Sequence, residues 1–281
     1  MSPQLSQKLA FGILTALAVL VIFPIVLVVA YIVVQGIGAV SWEFLTDFPR
    51  SGMREGGILP AIVGTVLLTF GTAIASIPIA LGAAIYLAEY SRDTWLTRAI
   101  RLAIINLAGI PSVVYGLFGL GLFVLFLGFG ASIVAGSLTL GLMTMPVVIS
   151  TAEEALLTVP QRFRVVSRSM GATRWQTVRH VVLPNALPGI LTGVILGLER
   201  AAGETAPILF TAAAFYLPQL PRSPFSQTMA LPYHLYVIST QVPGMPLEIQ
   251  YGTALILLVL VLSLNLVATV LRSRFRRRRQ W

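Results

Sequence analysis

Three charged residues stand inside an otherwise apolar run: Glu199, Arg200 and Glu204, in PGILTGVILGLERAAGETAPILFTA. An ionised side chain at the bilayer centre costs about 2.5–3.5 kcal/mol on insertion scales, so residues there are functional candidates. At about 100° per residue, Gly189, Gly193, Gly197, Arg200 and Glu204 share one helix face, within roughly 80° of arc. Glu199 points roughly 100° away from Arg200. Two readings stand side by side. In one, the glycines let helices approach closely and an Arg200–Glu204 bridge at i, i+4 locks that packing. In the other, the charges form a polar patch on a translocation path. A guanidinium then gives an oxyanion two parallel hydrogen bonds, and a carboxylate accepts a hydrogen bond from any anion that carries a proton. Two carboxylates and one guanidinium leave a net negative patch when all are ionised, so an anion path needs further cations from a second subunit.

A second segment, VVSRSMGATRWQTVRHVVLPNALPGI, is polar and basic. Gly171 is placed to end a helix that starts near Pro160, following the Pro-first, Gly-last asymmetry. Thr173 is placed to cap a second short helix running to about Val182. Pro184 marks a break before the next apolar run. The expected product is two short helices joined by a tight turn, with apolar Trp175, Val178 and Val181 free to enter a partner cleft. The alternative is an amphipathic segment lying on the lipid surface. The chain has no G-x-x-x-x-G-K-[ST] pattern, so ATP, if it is the energy source, must be bound by another polypeptide.

An intramembrane enzyme would need a nucleophile–base or metal constellation. The chain has no cysteine, which removes thiolate chemistry. The two histidines, His180 and His234, fall on opposite sides of the membrane in the topology below and read as surface or packing residues. Glu199, Arg200 and Glu204 read as the sole charged cluster at membrane depth, with no His, Cys or paired Asp beside them.

These residues must be carried by helices in lipid. Of 281 residues, 57% are hydrophobic and 10% charged, against about 25% charged in soluble domains. Runs of roughly 20 apolar residues span a bilayer. Six are expected, at about Leu9–Gln35, Pro60–Ala88, Leu102–Gly128, Ala131–Thr151, Ala186–Ala213 and Tyr251–Leu271. The first is too long for a signal-peptide core and reads as a retained span. Gly109, Pro111, Ser112, Tyr115, Gly116 and Gly119 predict a kinked, closely packed third span. The fourth is the weakest, being interrupted by Gly136, Gly141 and Pro146. The architecture is therefore an all-α integral membrane domain, with a core over 56–271, a cytoplasmic loop over about 152–185 between helices 4 and 5, an external loop over about 214–250 and a basic tail at 272–281. Six prolines between Pro218 and Pro246 argue against a long helix in the external loop. Glu153 and Glu154 read as interfacial, within reach of loop arginines.

The net charge of +9 does not indicate nucleic acid, because its placement follows topology. With both termini cytoplasmic, the inside segments hold Lys8, Arg92, Arg98, Arg101, Arg162, Arg164, Arg168, Arg174, Arg179, Arg272, Arg274 and Arg276 to Arg279, whereas the outside loops hold Arg50, Arg54 and Arg222. That is a strong positive-inside asymmetry.

The spacing Gly171, nine residues, Val181, any residue, Leu183, Pro184 resembles the cytoplasmic loop motif of ATP-binding-cassette importer permeases. Val165, Val166 and Ser167 stand where that family has Glu-Ala-Ala. GGILPAIVGTVLLT, YLAEYSR, LAGIPSVVYGLFG and GETAPILFTA are similar to the PstA-type permeases of bacterial phosphate importers, and less distinctly to the sister PstC type. The resemblance implies a type I importer permease in the bacterial inner membrane that is not itself an enzyme. It implies that Gly171, Ala172, Thr173, Trp175, Val178, Val181, Leu183 and Pro184 couple to an ATPase. It implies a PstC-like permease, a PstB-like ATPase dimer holding ATP and Mg, and an external PstS-like phosphate-binding protein. Permeases for other oxyanions (sulfate, molybdate, phosphonate) are the alternative, and a channel or scaffold without an ATPase fits the loop motif poorly. Hydrogen phosphate, unlike sulfate at neutral pH, carries a proton whose hydrogen bond a carboxylate such as Glu204 accepts.

The topology is testable in this cysteine-free background. Ser223→Cys should react with an impermeant thiol reagent added to intact cells, and Thr173→Cys should react only after permeabilisation. The reverse pattern would invert the orientation.

Overall fold

The computed structural model describes residues 3–277. The last four residues of the basic tail, 278–281, lie outside the described residues. In chain order the helices are α1 (Pro3–Gly36), α2 (Trp42–Thr46), α3 (Leu59–Ile85), α4 (Trp95–Ala108), α5 (Ser112–Gly119) and α6 (Ile133–Leu157), then α7 (Gln161–Ser169), α8 (Arg174–Thr177), α9 (Leu183–Gly203), α10 (Ala206–Thr211), α11 (Leu231–Thr240) and α12 (Leu247–Arg277). A small antiparallel hairpin, β1 (Pro49–Arg50) and β2 (Glu55–Gly56), precedes α3. π-helical turns extend α3 over Tyr86–Tyr90, extend α5 over Leu120–Phe126 and join α8 to α9 over Val178–Val182.

Among the described residues, five helices are long and apolar enough to cross a membrane, and α4 with α5 makes a sixth when counted as one bent span. That third span departs from the expected single helix over Leu102–Gly128. It starts at Trp95, and its halves meet at 101°. Gly109 closes α4, and Pro111, extended at ψ 138°, precedes the first residue of α5. Proline has no N–H to continue the ladder and holds its predecessor out of the α region. The fifth span also differs, running unbroken from Arg174 to Gly203 and then stopping. Pro184 does not break it, because the π turn immediately before shifts the hydrogen-bond register, with Leu183 N–H donating to Val178 O. The break falls instead at Glu204, extended at ψ 138°, three residues before Pro207.

The weakest run in the sequence forms the centre of the bundle. Helix α6 packs against α3, α9, α4, α5 and α10, and Pro146 lies inside it without ending it. It approaches α3 through small groups: a Cβ on Gly71 would strike Ser137, and one on Gly141 would lie 3.3 Å from Ala75 Cβ. The hydroxyls of Thr65, Thr69, Thr72 and Ser76 are buried on this side of α3, each bonded to the carbonyl four residues earlier at 2.7–2.8 Å. Self-satisfied hydroxyls pack as small groups without stranding a donor. By contrast α1 is exposed over residues 10–28 and meets the bundle mainly at α12, through Tyr31 on Tyr251 and the close approach of Gly36 to the Tyr251 carbonyl.

The segment between α10 and α12 is tied to α3. Leu231 N–H donates to Thr65 Oγ1 at 2.8 Å, and Gly64 lies directly against the Met229 carbonyl and Thr228 hydroxyl. His234 is 2% exposed, and its Nδ1 has no hydrogen-bond partner among the described residues. Its burial lowers its pKa to about 4. His180 lies on the surface, its Nδ1 against Gln176 O at 3.1 Å.

Gly64→Ala forces a methyl into a backbone carbonyl and should destabilise the detergent-solubilised protein by about 1–3 kcal/mol, the usual cost of overpacking. Gly82 has open space around it, so Gly82→Ala should stabilise by up to about 1 kcal/mol through helix propensity. Thermal unfolding of the two variants side by side measures both.

Candidate functional site at the α9–α10 break and the α7–α8 loop

Arg200 and Glu204 meet where the fifth span stops. Arg200 Nε lies 3.3 Å from Glu204 Oε1, with the side chains 35% and 18% exposed. Glu204 is the last residue of the helical path and is already extended, so the pair sits at an interruption and not at mid-helix. In hydrocarbon, non-helical backbone is tolerated only where protein buries it or where it lines an aqueous cavity. Here α10 turns back onto α5, whose Gly116 leaves room for Pro207 and Ala206, while Ile208 and Thr211 are buried. Glu204 also borders a small cavity with Thr65, Leu68, Leu140, Ala230 and Pro232. The carboxylate is thus placed where α3, α6, α9, α10 and α11 converge. Tyr115 of α5, whose hydroxyl donates to Leu107 O at 2.9 Å, is within electrostatic reach of Arg200. Glu199 is directed elsewhere, and its Oε1 is buried with no hydrogen-bond partner among the described residues.

The glycines of this face are turned onto α6. A Cβ on Gly189 would lie 2.6 Å from Ala155 Cβ, one on Gly193 would strike Thr151, and one on Gly197 would lie 2.9 Å from Val148 Cγ2. Arg200 and Glu204 follow these glycine contacts, at the last turn and end of α9. The face divides, its glycines serving close approach and its charges lying beyond the packed stretch.

The loop has the local chemistry of two capped helices. Pro160 caps α7, Gly171 adopts φ +84°, and Thr173 forms a reciprocal capping box with Gln176 at 2.8 and 3.3 Å. Its exposed knobs are Met170, 84% exposed, and Trp175, 53% exposed. Gly171, Thr173 and Arg174 are also exposed, and Ala172 is half-buried. Val178 corrects the expectation of a free apolar face: it is buried, at 1% exposure, as is its neighbour Thr177, because this side of α8 packs inward, with Thr177 bonded to Ser167 of α7. Val181, Leu183 and Pro184 are half-buried along the continuous helix. Met170 was missed because an exposed methionine beside glycine carries no periodic signal.

A second charged cluster overturns the expectation of a single one. Arg164 on α7 and Glu89 in the π turn after α3 have side chains only 7% and 3% exposed, with Nη2–Oε1 at 2.5 Å and Nε–Oε1 at 3.0 Å. Arg164 also donates to Val159 O at 2.6 Å and Leu156 O at 2.8 Å. Beside it Arg101 of α4 binds Glu153 of α6 at 2.7 Å and the Leu87 carbonyl at 3.1 Å. Sequence reasoning counted Arg164 among the loop charges and passed over Glu89. Their partnership spans 75 residues, and no local spacing records it.

Residues 76–280 match the family model described as "Binding-protein-dependent transport system inner membrane component". The chain is 33% identical over 282 residues to the "Probable ABC transporter permease protein YqgI" of Bacillus subtilis, covering 95% of each chain. It is 33% identical over 267 residues to the "Phosphate transport system permease protein PstA 1" of Mycobacterium tuberculosis, covering 93% of this chain and 86% of that one. Its fold is similar, at TM-score 0.65 and 15% identity over 96% of each chain, to that of a bacterial ABC transporter involved in import of the acidic polysaccharide alginate. A bundle with an exposed double-helix loop at one end and a charged break in its fifth span is thus the type I importer architecture, and the chain belongs to the binding-protein-dependent transport permeases, the membrane-spanning subunits of ABC importers.

Proposed function

We propose that this permease carries inorganic phosphate inward, with Arg200, Glu204 and Glu199 on the path. The observation that carries the reading is the Arg200–Glu204 pair at the interrupted fifth span. A guanidinium offers five donors in a fixed plane, and Arg200, a third exposed, has donors left beyond its single contact with Glu204. A carboxylate next to it accepts a hydrogen bond from the O–H of hydrogen phosphate, a donor that sulfate lacks at neutral pH. The phosphate transport relatives support the choice of ion. A permease for another oxyanion is the second reading, because a guanidinium recognises oxyanions as a class.

An importer permease works with an ATPase and a substrate-binding protein. In this reading the ATPases are a PstB-like pair holding ATP and Mg, the binding protein is PstS-like and external, and a PstC-like permease completes the path. That second permease would supply the cations that offset two carboxylates against one guanidinium. It would also cover part of the apolar surface that α1 leaves exposed beyond its contact with α12. Both termini and the Gly171 turn face the cytoplasm. The turn, with Met170 and Trp175 projecting, enters the ATPase cleft, while Val178, Val181, Leu183 and Pro184 carry its displacement into α9.

The turn requires a left-handed residue at position 171, which glycine adopts freely and asparagine with little strain. Gly171→Asn should keep at least half of wild-type phosphate uptake, on the order of the mild αL penalty. Gly171→Val should lose most uptake together with the stimulation of ATP hydrolysis by loaded binding protein. Equal coupling in both variants at equal membrane abundance would remove the turn from the contact.

Arg200→Gln, Glu204→Gln and the double variant separate path from packing. Arg200→Gln alone leaves a carboxylate unpaired in a low-dielectric setting and is expected to lower membrane abundance. In the double variant neutral amides can bond each other, so assembly with the ATPase should return. Phosphate uptake should stay at least about tenfold below wild type, the loss of one charge-assisted contact to the ion. An assembled double variant with full uptake would make the pair purely structural.

A further inference from the structure

The loop that meets the ATPase has two limbs, and they are attached to the bundle differently. The α8 limb is continuous with α9 through the Val178–Val182 π turn. The α7 limb has no such continuity: it follows α6 after a break at Thr158–Pro160 and would swing about that break unless held. Arg164 ties it to the bundle by polar contacts, beside Phe163, which packs against the core formed by α3, α6 and α9. The Arg164 guanidinium is buried and directed wholly inward, with Nε and Nη2 on Glu89, Nη1 on the Val159 carbonyl and Nη2 also on the Leu156 carbonyl. One planar group therefore joins three elements: α7, the end of α6, and the π turn that ends α3. Arg101 binds the same turn from its other side, at the Leu87 carbonyl, and is paired with Glu153 of α6. The two limbs are linked by Ser167 Oγ and Thr177 Oγ1, 2.9 Å apart.

From this geometry we propose that Glu89 and Arg164 are positioning residues for energy coupling. Their ion pair makes α7 move as one body with the ends of α3 and α6, so that a displacement of the Gly171 turn reaches those two spans as well as α9. The inference rests on the reading that the Gly171 turn is the ATPase contact. A buried pair with additional hydrogen bonds resists partial opening, because any intermediate strands a charge away from water. Such a bracket passes on displacement instead of absorbing it. The π turn that bears Glu89 fits the role, since its displaced register leaves local carbonyls for the two arginines, and such turns concentrate at functional positions. A polar cavity of about 320 Å³ lies beside the pair, lined by Pro160, Gln161, Arg168 and Arg174 among others. It gives α7 room to tilt if the bracket is absent.

The test uses the complete importer reconstituted with its ATPase and binding protein, with labelled inorganic phosphate as the probe. Arg164→Lys keeps the charge but not the forked contacts. The double variant Glu89→Leu with Arg164→Met replaces both ions by apolar groups, which buried pairs often tolerate without loss of stability. Both should retain the ATPase on purification and continue to hydrolyse ATP. Phosphate moved per ATP hydrolysed should fall about tenfold, within the range found for substitutions along a coupling network, and loaded binding protein should no longer accelerate hydrolysis. A purely structural pair would lower the amount of complex while leaving the phosphate-to-ATP ratio of the assembled fraction at the wild-type value, and that result overturns the proposal. Loss of the ATPase from a thermally stable double variant also overturns it, because the pair would then shape the docking surface. The underlying reading fails separately, if Gly171→Val and Trp175→Ala leave both ATPase retention and stimulated hydrolysis unchanged.

Discussion

In lipid the hydrophobic effect does not press helices together, so a bundle coheres only where backbones come close enough for dispersion contacts and every buried polar group finds a partner inside the protein. In this permease the close approach is centred on α6, and among the described residues Glu199 Oε1 and His234 Nδ1 are buried side-chain atoms left without a hydrogen-bond partner. Small residues on α3, α5 and α9 are set against α6, and the hydroxyls buried along α3 bond their own helix. A larger side chain at Gly71, Gly119, Gly193 or Gly197 would push α3, α5 or α9 away from α6. The positions of Glu204, Glu89 and Arg164 all follow from which helices α6 can hold close.

The interruptions of the helices matter as much as the helices. Three prolines in similar sequence settings have three outcomes. Pro111 turns a span through 101°, Pro207 opens the one at Glu204, and Pro184 is carried inside a continuous helix behind a π turn. Proline always removes one donor. The result depends on whether neighbouring turns can shift register to compensate. At Pro184 they do, and the loop gains a rigid connection to α9. At Pro207 they do not, and an acidic side chain is left at an open piece of backbone.

Charge is sorted in the same way. At the loop end, the buried Arg164 is held by the Glu89 carboxylate and by the Val159 and Leu156 carbonyls, which suits it to transmit position. At the α9–α10 break, Arg200 has one contact at 3.3 Å and keeps a third of its side chain exposed, which suits it to bind something else. The same residue type performs opposite tasks because burial and partner number differ.

The residues alone determined the solvent, the spans and the loop. Apolar runs of about 20 residues have no stable home but a bilayer, and Gly171, Thr173 and Pro160 act through backbone conformations that neighbours in sequence control. The i, i+4 spacing of Arg200 and Glu204 was equally legible, since it needs only a helical pitch. Three features were decided by the tertiary structure. The run with Gly136, Gly141 and Pro146 looked weakest as a helix and became the centre, because the small residues that lower helix propensity are those that allow close packing. Val178 turned inward because the Thr177–Val178 side of α8 packs inward, with Thr177 bonded to Ser167 of α7, a contact between segments that a helical projection of one segment does not contain. Glu89 and Arg164 met because α7 begins where the path of α3 ends, a contact across 75 residues that only the folded chain creates.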